Sequence, residues 1–459
     1  MAESISSLVT FQEFEAAGSK ADFIAKAIAR HKSGRLYLDA MAADRYMWQR
    51  NDGICNFAKM IYTLQGGATK DFTAPDVKIA SNYFDRLNTQ RCYYSLGNGI
   101  GFAGATDEGD KTKEALGSRF DDDVMNFGML ALIHGVAFPF WNFDHIDTFK
   151  VTEFVPFWDE DSGTLRAGVR WWQLDSTRRV NAVLYEEDGY TRYASTGTSA
   201  QDFRQIEEKH AYKTTYAETP IDGIVEVVEE SNYTKLPIVP VWGDEKHQST
   251  LVGLKSHIDA YDLIKSGFAC DVQECAEIYW VVENYGGMTD EDLTRFFDRM
   301  KLKHVASVDT TDNGKITPFT QDVPYQARES VLRLIRDDLY GDFCVIDVHS
   351  VAAGDTNDHI EAAYQPMDNQ ALKFERQIRN AIMDILALQG IEDTPVFTRN
   401  RVSNTREQVE IAIMEAPYLD DETILRKFPN ITPDEVQQIL ERRDAADFER
   451  MGVAAQGGE

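Results

Sequence analysis

Two hydrophobic periods divide this chain, and no single type of layer satisfies both. Between Ala137 and Trp242, short runs of Val, Phe, Trp, Tyr and Thr are broken by turn signals at Asp161-Ser162-Gly163, Asp188-Gly189 and Asp222-Gly223. That pattern predicts strands. Directly afterwards Leu254, Ile258, Tyr261, Phe268, Val272, Cys275 and Tyr279 recur near a spacing of 3.6, which predicts one helix of about seven turns. Helical signals also precede the β-rich stretch: Ile24 with Ile28, then Met60, Ile61 and Leu64 with Gly66-Gly67 as a stop. Asp121 to His134 adds an apolar side of Val124, Phe127, Met129, Leu130 and Ile133. Blocks of helix, then strand, then helix predict an α+β chain.

Asp188-Gly189, between VNAVLYEE and YTRYAS, is the clearest hairpin. Pro237 and Pro240 make Lys235 to Val241 an extended connector, because proline cannot donate to a central ladder. Beyond the long helix, Asp312-Asn313-Gly314 marks a further hairpin, and a second helix follows Pro324 with Leu332, Ile335 and Leu339 on one face. Cys344 to Ile360 reads as a loop rich in small polar residues. A third long helix is expected from about Asp368 to Leu388, with Ala371, Phe374, Ile378, Ile382 and Ile385 inward and Gly390 as its stop. Capping boxes at Asn404 with Glu407 and Thr432 with Glu435 predict small helices to residue 450, before a disordered tail.

The length of 459 residues, 43% of them apolar, suits about three domains with real cores. With 47 basic and 76 acidic side chains the formal charge is −29, so the chain's own field opposes tight binding to DNA or anionic lipid. The N-terminus lacks a basic region before an apolar stretch, and the run from Phe127 to Trp141, interrupted by His134 and Pro139, is too short to span a bilayer. These features predict a soluble protein. Five scattered cysteines with no C-x-x-C pair indicate neither a disulfide framework nor a zinc site.

Chemistry has few candidates. His134, Asp144, His145 and Asp147, with Asp121-Asp122-Asp123 upstream, are the residue types of a hydrolytic metal site, although an acid-rich chain produces such clusters as solvated faces. Gly97-Asn98-Gly99-Ile100-Gly101 lacks the spacing and setting of a dinucleotide loop and reads as a turn. No P-loop, G-x-S-x-G or H-E-x-x-H occurs. Trp158, Trp171, Trp172, Tyr185, Tyr190 and Tyr193 are either a stacking platform or core and interface. Arg328, Arg333 and Arg336, with Lys301, Lys303 and Lys315, either mark the approach of a polyanion or pair within their helices, as Arg333 with Asp337 at i, i+4.

The order of parts is more specific than any of these motifs. NYFDRLNTQRCYYSLGNGIGF, DVMNFGMLALIHGVAFPFWNFD, FWDEDSGTLRAGVRWW, KLPIVPVWG, IDAYDLIKSGFACDVQE and the final SNTREQVEIAIMEAPYLDDETILRKFPNITPDEVQQILERR follow one another. In this succession, over about residues 75–445, the chain resembles the portal protein family of tailed bacteriophages, in its long-tailed siphovirus branch. The resemblance implies a non-enzymatic subunit, without cofactor or metal, of a twelve-membered ring at one capsid vertex. Double-stranded DNA would pass through that ring, with ATP hydrolysis left to a separate terminase.

By position, the resemblance implies an N-terminal wing over 1–249 (β-rich at 137–243), stem helices at 250–276 and 321–341, and a clip at 277–320 between them. A tunnel-loop region would occupy 342–366, a wing spine helix and return 367–403, a crown 404–450 and the tail 451–459. Ser350, Ala352, Gly354, Asp355, Thr356, Asn357, Asp358 and His359 would face DNA from the tunnel loop. Lys265, Arg328, Arg333 and Arg336 would belong to the stem or channel, and Lys301, Lys303 and Lys315 to the clip's docking surface. The implied partners are further copies of this chain, DNA, the terminase large subunit, the major capsid protein with scaffold, and head-to-tail adaptors, with no membrane. The implied location is the capsid portal vertex of the virion, after assembly in the host cytoplasm.

Overall fold

The computed structural model describes residues 8–275 apart from 63–66, 73, 105, 174–178, 196, 198–199 and 219–224. Beyond these it describes 279–283, 315–319, 325–347 and 357–400, with isolated positions at 289–295 and 413–442. The capping boxes at Asn404 and Thr432, the tail and the turn at Asp312 lie outside the described residues. The chain is α+β and divides into two compact units: Met1–Ala43 with Arg86–Val252 and Tyr340–Glu459, and Asp44–Asp85 with Gly253–Leu339.

In the first unit the β-rich stretch builds three antiparallel sheets, the smallest a pairing of Lys213–Glu218 with Val225–Ser231. Phe154–Trp158, Leu165–Gln173, Val180–Glu186, Gly189–Ser195 and Phe203–Gln205 lie side by side in chain order. The expected hairpin is present: Glu186 pairs with Gly189, leaving Glu187-Asp188 as the two-residue turn. In the second sheet Val136–Asn142 runs between His145–Lys150 and Val241–Trp242. The proline-flanked connector thus joins as a short edge, where a missing N–H costs least.

Helix Phe120–His134 packs on that three-stranded sheet. Its buried residues include Phe120, Val124, Phe127, Ala131, Leu132 and Ile133, so Val124, Phe127 and Ile133 of the expected face are buried, whereas Met129 and Leu130 are only partly covered. The helix stops at Gly135, which has φ +89 and where a Cβ would lie 2.6 Å from the Gln248 backbone carbon. Phe374, Ile378, Ile382 and Ile385 of helix Asn357–Gln389 enter the same core, each fully buried, and Ala371 of that helix is also buried. Burying each of the larger ones is worth roughly 1.5–3 kcal/mol against leaving it in water.

The structure corrects three expectations. The third long helix begins at Asn357, well before Asp368, and continues through Pro366. A proline there forfeits one intrahelical donor and crowds the preceding turn, a cost this apolar stripe outweighs. Asn357, Asp358 and His359, expected in the tunnel loop, are therefore helical. Met60–Tyr62, expected in a helix, is a strand paired with Ala68–Lys70. Met60 and Ile61 suit a strand as well as a helix, and here the pairing with a second strand decides; Leu64 and Gly66 lie outside the described residues. Tyr279, expected on the long helix, opens the strand Tyr279–Glu283, which pairs with Lys315–Phe319.

Candidate functional site

The residues implied for a channel fall mainly on two helices, Leu251–Cys275 and Tyr325–Phe343. On the first, the ammonium of Lys265 lies 5.6 Å from the centre of the Tyr261 ring, held by the ring's negative face. Arg328, near the start of the second, forms an ion pair with Asp271 of the first. Arg333 is exposed. Asp337 pairs with its neighbour Arg336 at 3.2 Å, in place of the i, i+4 pairing with Arg333 that the spacing suggested. Lys315 stands in register with Glu283 across the two-stranded ribbon. Ser350, Ala352, Gly354, Asp355, Thr356, Lys301 and Lys303 lie outside the described residues.

What holds Leu251–Cys275 in its unit differs from the stripe its apolar residues predict. From Leu254 to Val272 the buried positions are Leu254, Ile258, Asp262, Ser266 and Cys270, one every fourth residue, while Val272 is 52% exposed. Three of the five are polar or weakly polar, and each serves the extended segment 75–82 running antiparallel to the helix. The Ser81 amide donates to Asp262 Oδ1 at 2.9 Å, the Ile79 amide to Ser266 Oγ at 3.0 Å, and the Val77 amide to Cys270 Sγ at 3.4 Å. The thiol donates in turn to the Pro75 carbonyl at 3.3 Å. Asn51 Nδ2 bridges the Ser81 carbonyl and Asp262 Oδ2, completing a buried polar knot. Burial raises the Asp262 carboxyl above the usual range, against the pull of those donors.

One turn earlier, Asp259 takes the Lys255 ammonium at 2.6 Å and the Tyr46 hydroxyl, which burial and that carboxylate push up to about 12. Gly53 is needed beside them, since a Cβ there would overlap the Asp259 carboxylate. The segment, the helix and the start of Tyr325–Phe343 bound a groove of about 510 Å³ whose wall includes Phe57, Val77, Leu263, Cys270 and Val331. Hydrophobic periodicity missed Asn51, Asp259, Asp262, Ser266 and Cys270. The available signal was the recurrence of small or polar residues at every fourth position from 262 to 270.

The hydrolase constellation does not assemble. His134 is fully buried at the end of helix Phe120–His134, whereas His145 sits on an exposed hairpin. There His145 Nδ1 is 2.8 Å from Asp144 and Nε2 is 3.5 Å from Asp147. The hydrogen bond to Asp144 raises the His145 pKa. Asp123 accepts from the Ile146 amide at 3.5 Å. Among the described residues no group of three or more His, Cys, Asp or Glu could hold a metal.

The aromatic residues form no shared platform either. Tyr185 and Tyr193 are buried, Trp171 and Trp172 are neighbours on one strand and so face opposite sides, and Trp158 stacks on Trp242 at 5.9 Å. Gly97 to Gly101 is a turn between helix Tyr83–Leu96 and strand Ile100–Phe102, with Gly99 at φ +75. Among the described residues no helix is long and apolar enough to cross a membrane.

The sequence matches the family described as "Phage portal protein, SPP1 Gp6-like" over residues 40–448. The chain belongs to that portal family. It is 22% identical over 422 residues to the portal protein of Clostridium phage phiCD119, covering 85% of this chain and 89% of the relative. To the portal protein of Bacillus phage SPP1 it is 25% identical over 268 residues, about half of each chain. Among solved structures it is similar to a chain in the "Neck of native GTA particle computed with C12 symmetry", at TM-score 0.39 and 8% identity, covering 75% of this chain and 89% of that one. The family is one of phage portal proteins, virion components of the capsid, and is structural rather than enzymatic.

Proposed function

We propose that helices Leu251–Cys275 and Tyr325–Phe343 are the stem of a twelve-membered portal ring and that 277–320 is its clip, docking the terminase large subunit and later the head-to-tail adaptors. The observation that carries this is the family match, which runs without a break through both helices and the intervening segment. The antiparallel pairing of Tyr279–Glu283 with Lys315–Phe319 supports a separate small element between the helices. Residues 348–359 are the tunnel constriction in this reading, and assembly with scaffold and major capsid protein takes place in the host cytoplasm.

The electrostatics suit a conduit. At −29 per subunit a ring repels the phosphate backbone, so duplex DNA slides without sticking. Arg333, exposed on the second helix, is the basic residue best placed to meet the duplex, since Arg328 and Arg336 are engaged by Asp271 and Asp337. Deleting 352–358 tests the reading in a phage complementation assay. Rings still form and capsids still receive the portal, but packaged full-length genomes fall at least tenfold. Normal packaging and DNA retention by the deletion overturns the constriction assignment.

A further inference from the structure

We infer that the extended segment 75–82 is a strap that detaches from helix Leu251–Cys275 as a unit, peeling from its Pro75 end toward an anchor at Asp262, and that its opening unseals the groove beside Cys270. The inference concerns the chain by itself and does not depend on the ring reading.

The geometry follows from two repeats that nearly match. Four helical residues advance about 6.0 Å and two extended residues about 6.6 Å. Amides 77, 79 and 81 therefore meet residues 270, 266 and 262 in turn. The intervening Lys78 and Ala80 amides donate to nothing among the described residues. Because the acceptors are side chains, the strap can leave without breaking a sheet ladder or a helical turn. Its rungs are graded. The Cys270 rung is a weak sulfur contact at 3.4 Å, the Ser266 rung a neutral bond at 3.0 Å, and the Asp262 rung a bond to a buried carboxyl also held by Asn51.

The other fastenings of this end are single side-chain bonds: the Cys270 thiol donates to the Pro75 carbonyl at 3.3 Å, and the Lys78 ammonium, at the surface, donates to the Cys55 carbonyl at 2.9 Å. Asp76 is exposed and pairs with Lys70 at 3.3 Å and Lys78 at 3.9 Å, surface pairs worth little. Pro75, Asp76 and Val77 also form part of the wall of the groove, together with Leu263 and Val331. Peeling as far as residue 79 removes that part of the wall and bares the Cys270 thiol, which is 5% exposed with the strap in place.

The test is alkylation of the full-length protein by N-ethylmaleimide, with the Cys270 and Cys92 peptides quantified by mass. Ile79→Pro removes the middle donor and keeps an extended backbone; it should speed Cys270 alkylation at least tenfold. Ala80→Pro removes an amide that is no rung and should change it less than about twofold. Cys92, buried in the other unit, should not change in either. Equal effects of the two prolines, or no effect of Ile79→Pro, would overturn the inference. Hydrogen exchange of the unmodified protein decides the matter should Ile79→Pro not fold. Amides 77, 79 and 81 should exchange in that order, all faster than the middle of the helix. Exchange of all three at the rate of the helix would overturn it.

Discussion

Helix Phe120–His134 and helix Leu251–Cys275 each bury a stripe, but the stripes have opposite chemistry. The first inserts Phe120, Val124, Phe127, Ala131 and Leu132 into a core shared with Phe374 and Ile378. The second continues Leu254 and Ile258 with Asp262, Ser266 and Cys270, and these three grip a neighbouring backbone through hydrogen bonds. Apolar burial is non-directional and scales with area, so the first helix tolerates repacking but not loss of volume. Side-chain hydrogen bonds to backbone are directional, so the second is sensitive to which atom sits at a position and less to its size.

The contrast breaks most visibly in the apolar core. Phe127→Ala should cost about 3–5 kcal/mol in urea unfolding, through lost burial and an unfilled cavity. A loss below about 1 kcal/mol would mean that the core does not depend on this helix. Asp262→Ala should cost about 1–3 kcal/mol by stranding the Ser81 and Asn51 donors. Val272→Ala, on the stripe that apolar spacing favoured but exposed in the fold, should stay within about 0.5 kcal/mol. A reversed order of those two would restore the apolar stripe and remove the polar one.

The pH dependence sharpens the same contrast with a smaller effect. Burial raises the Asp262 pKa in the folded chain, so folding favours the protonated form. The stability this group contributes is present below the ordinary carboxylate range and is lost as pH rises through the raised folded value. Urea midpoints should fall over that window, and Asp262→Asn should flatten the fall. An unchanged slope in Asp262→Asn would assign the dependence to other groups. The smallest effect belongs to His145, whose imidazole is raised chiefly by its hydrogen bond to Asp144. Its stabilising contribution is present below the unfolded pKa and fades as pH rises through the folded one, and exposure keeps it slight. NMR titration should place His145 above a free histidine, with Asp144→Asn lowering it and leaving the urea midpoint unchanged.

Much of the first unit was legible because its determinants are local and apolar. The Asp188-Gly189 hairpin and the inward residues from Ala371 to Ile385 follow from turn chemistry and period alone. The extension of that helix back to Asn357 was hidden by Pro366, since local rules read proline as a boundary while tertiary packing can carry a helix across it. The strand at Met60 was hidden because three residues fit either period. The knot around Asp262 was hidden for a different reason: its partners, Asn51 and Ser81, lie some two hundred residues away in sequence, and hydropathy counts an aspartate as exposed. The portal family was legible from the order of parts, and none of its residue roles could be read from a catalytic motif.

Particle mass and negative-stain images of the purified protein at moderate salt test the central claim most directly. The account predicts a closed ring of about a dozen identical subunits around an open axial hole, the geometry of repeated heterologous contacts that close. A compact monomer that stays monomeric as concentration rises, with no annular particles in the images, would contradict it.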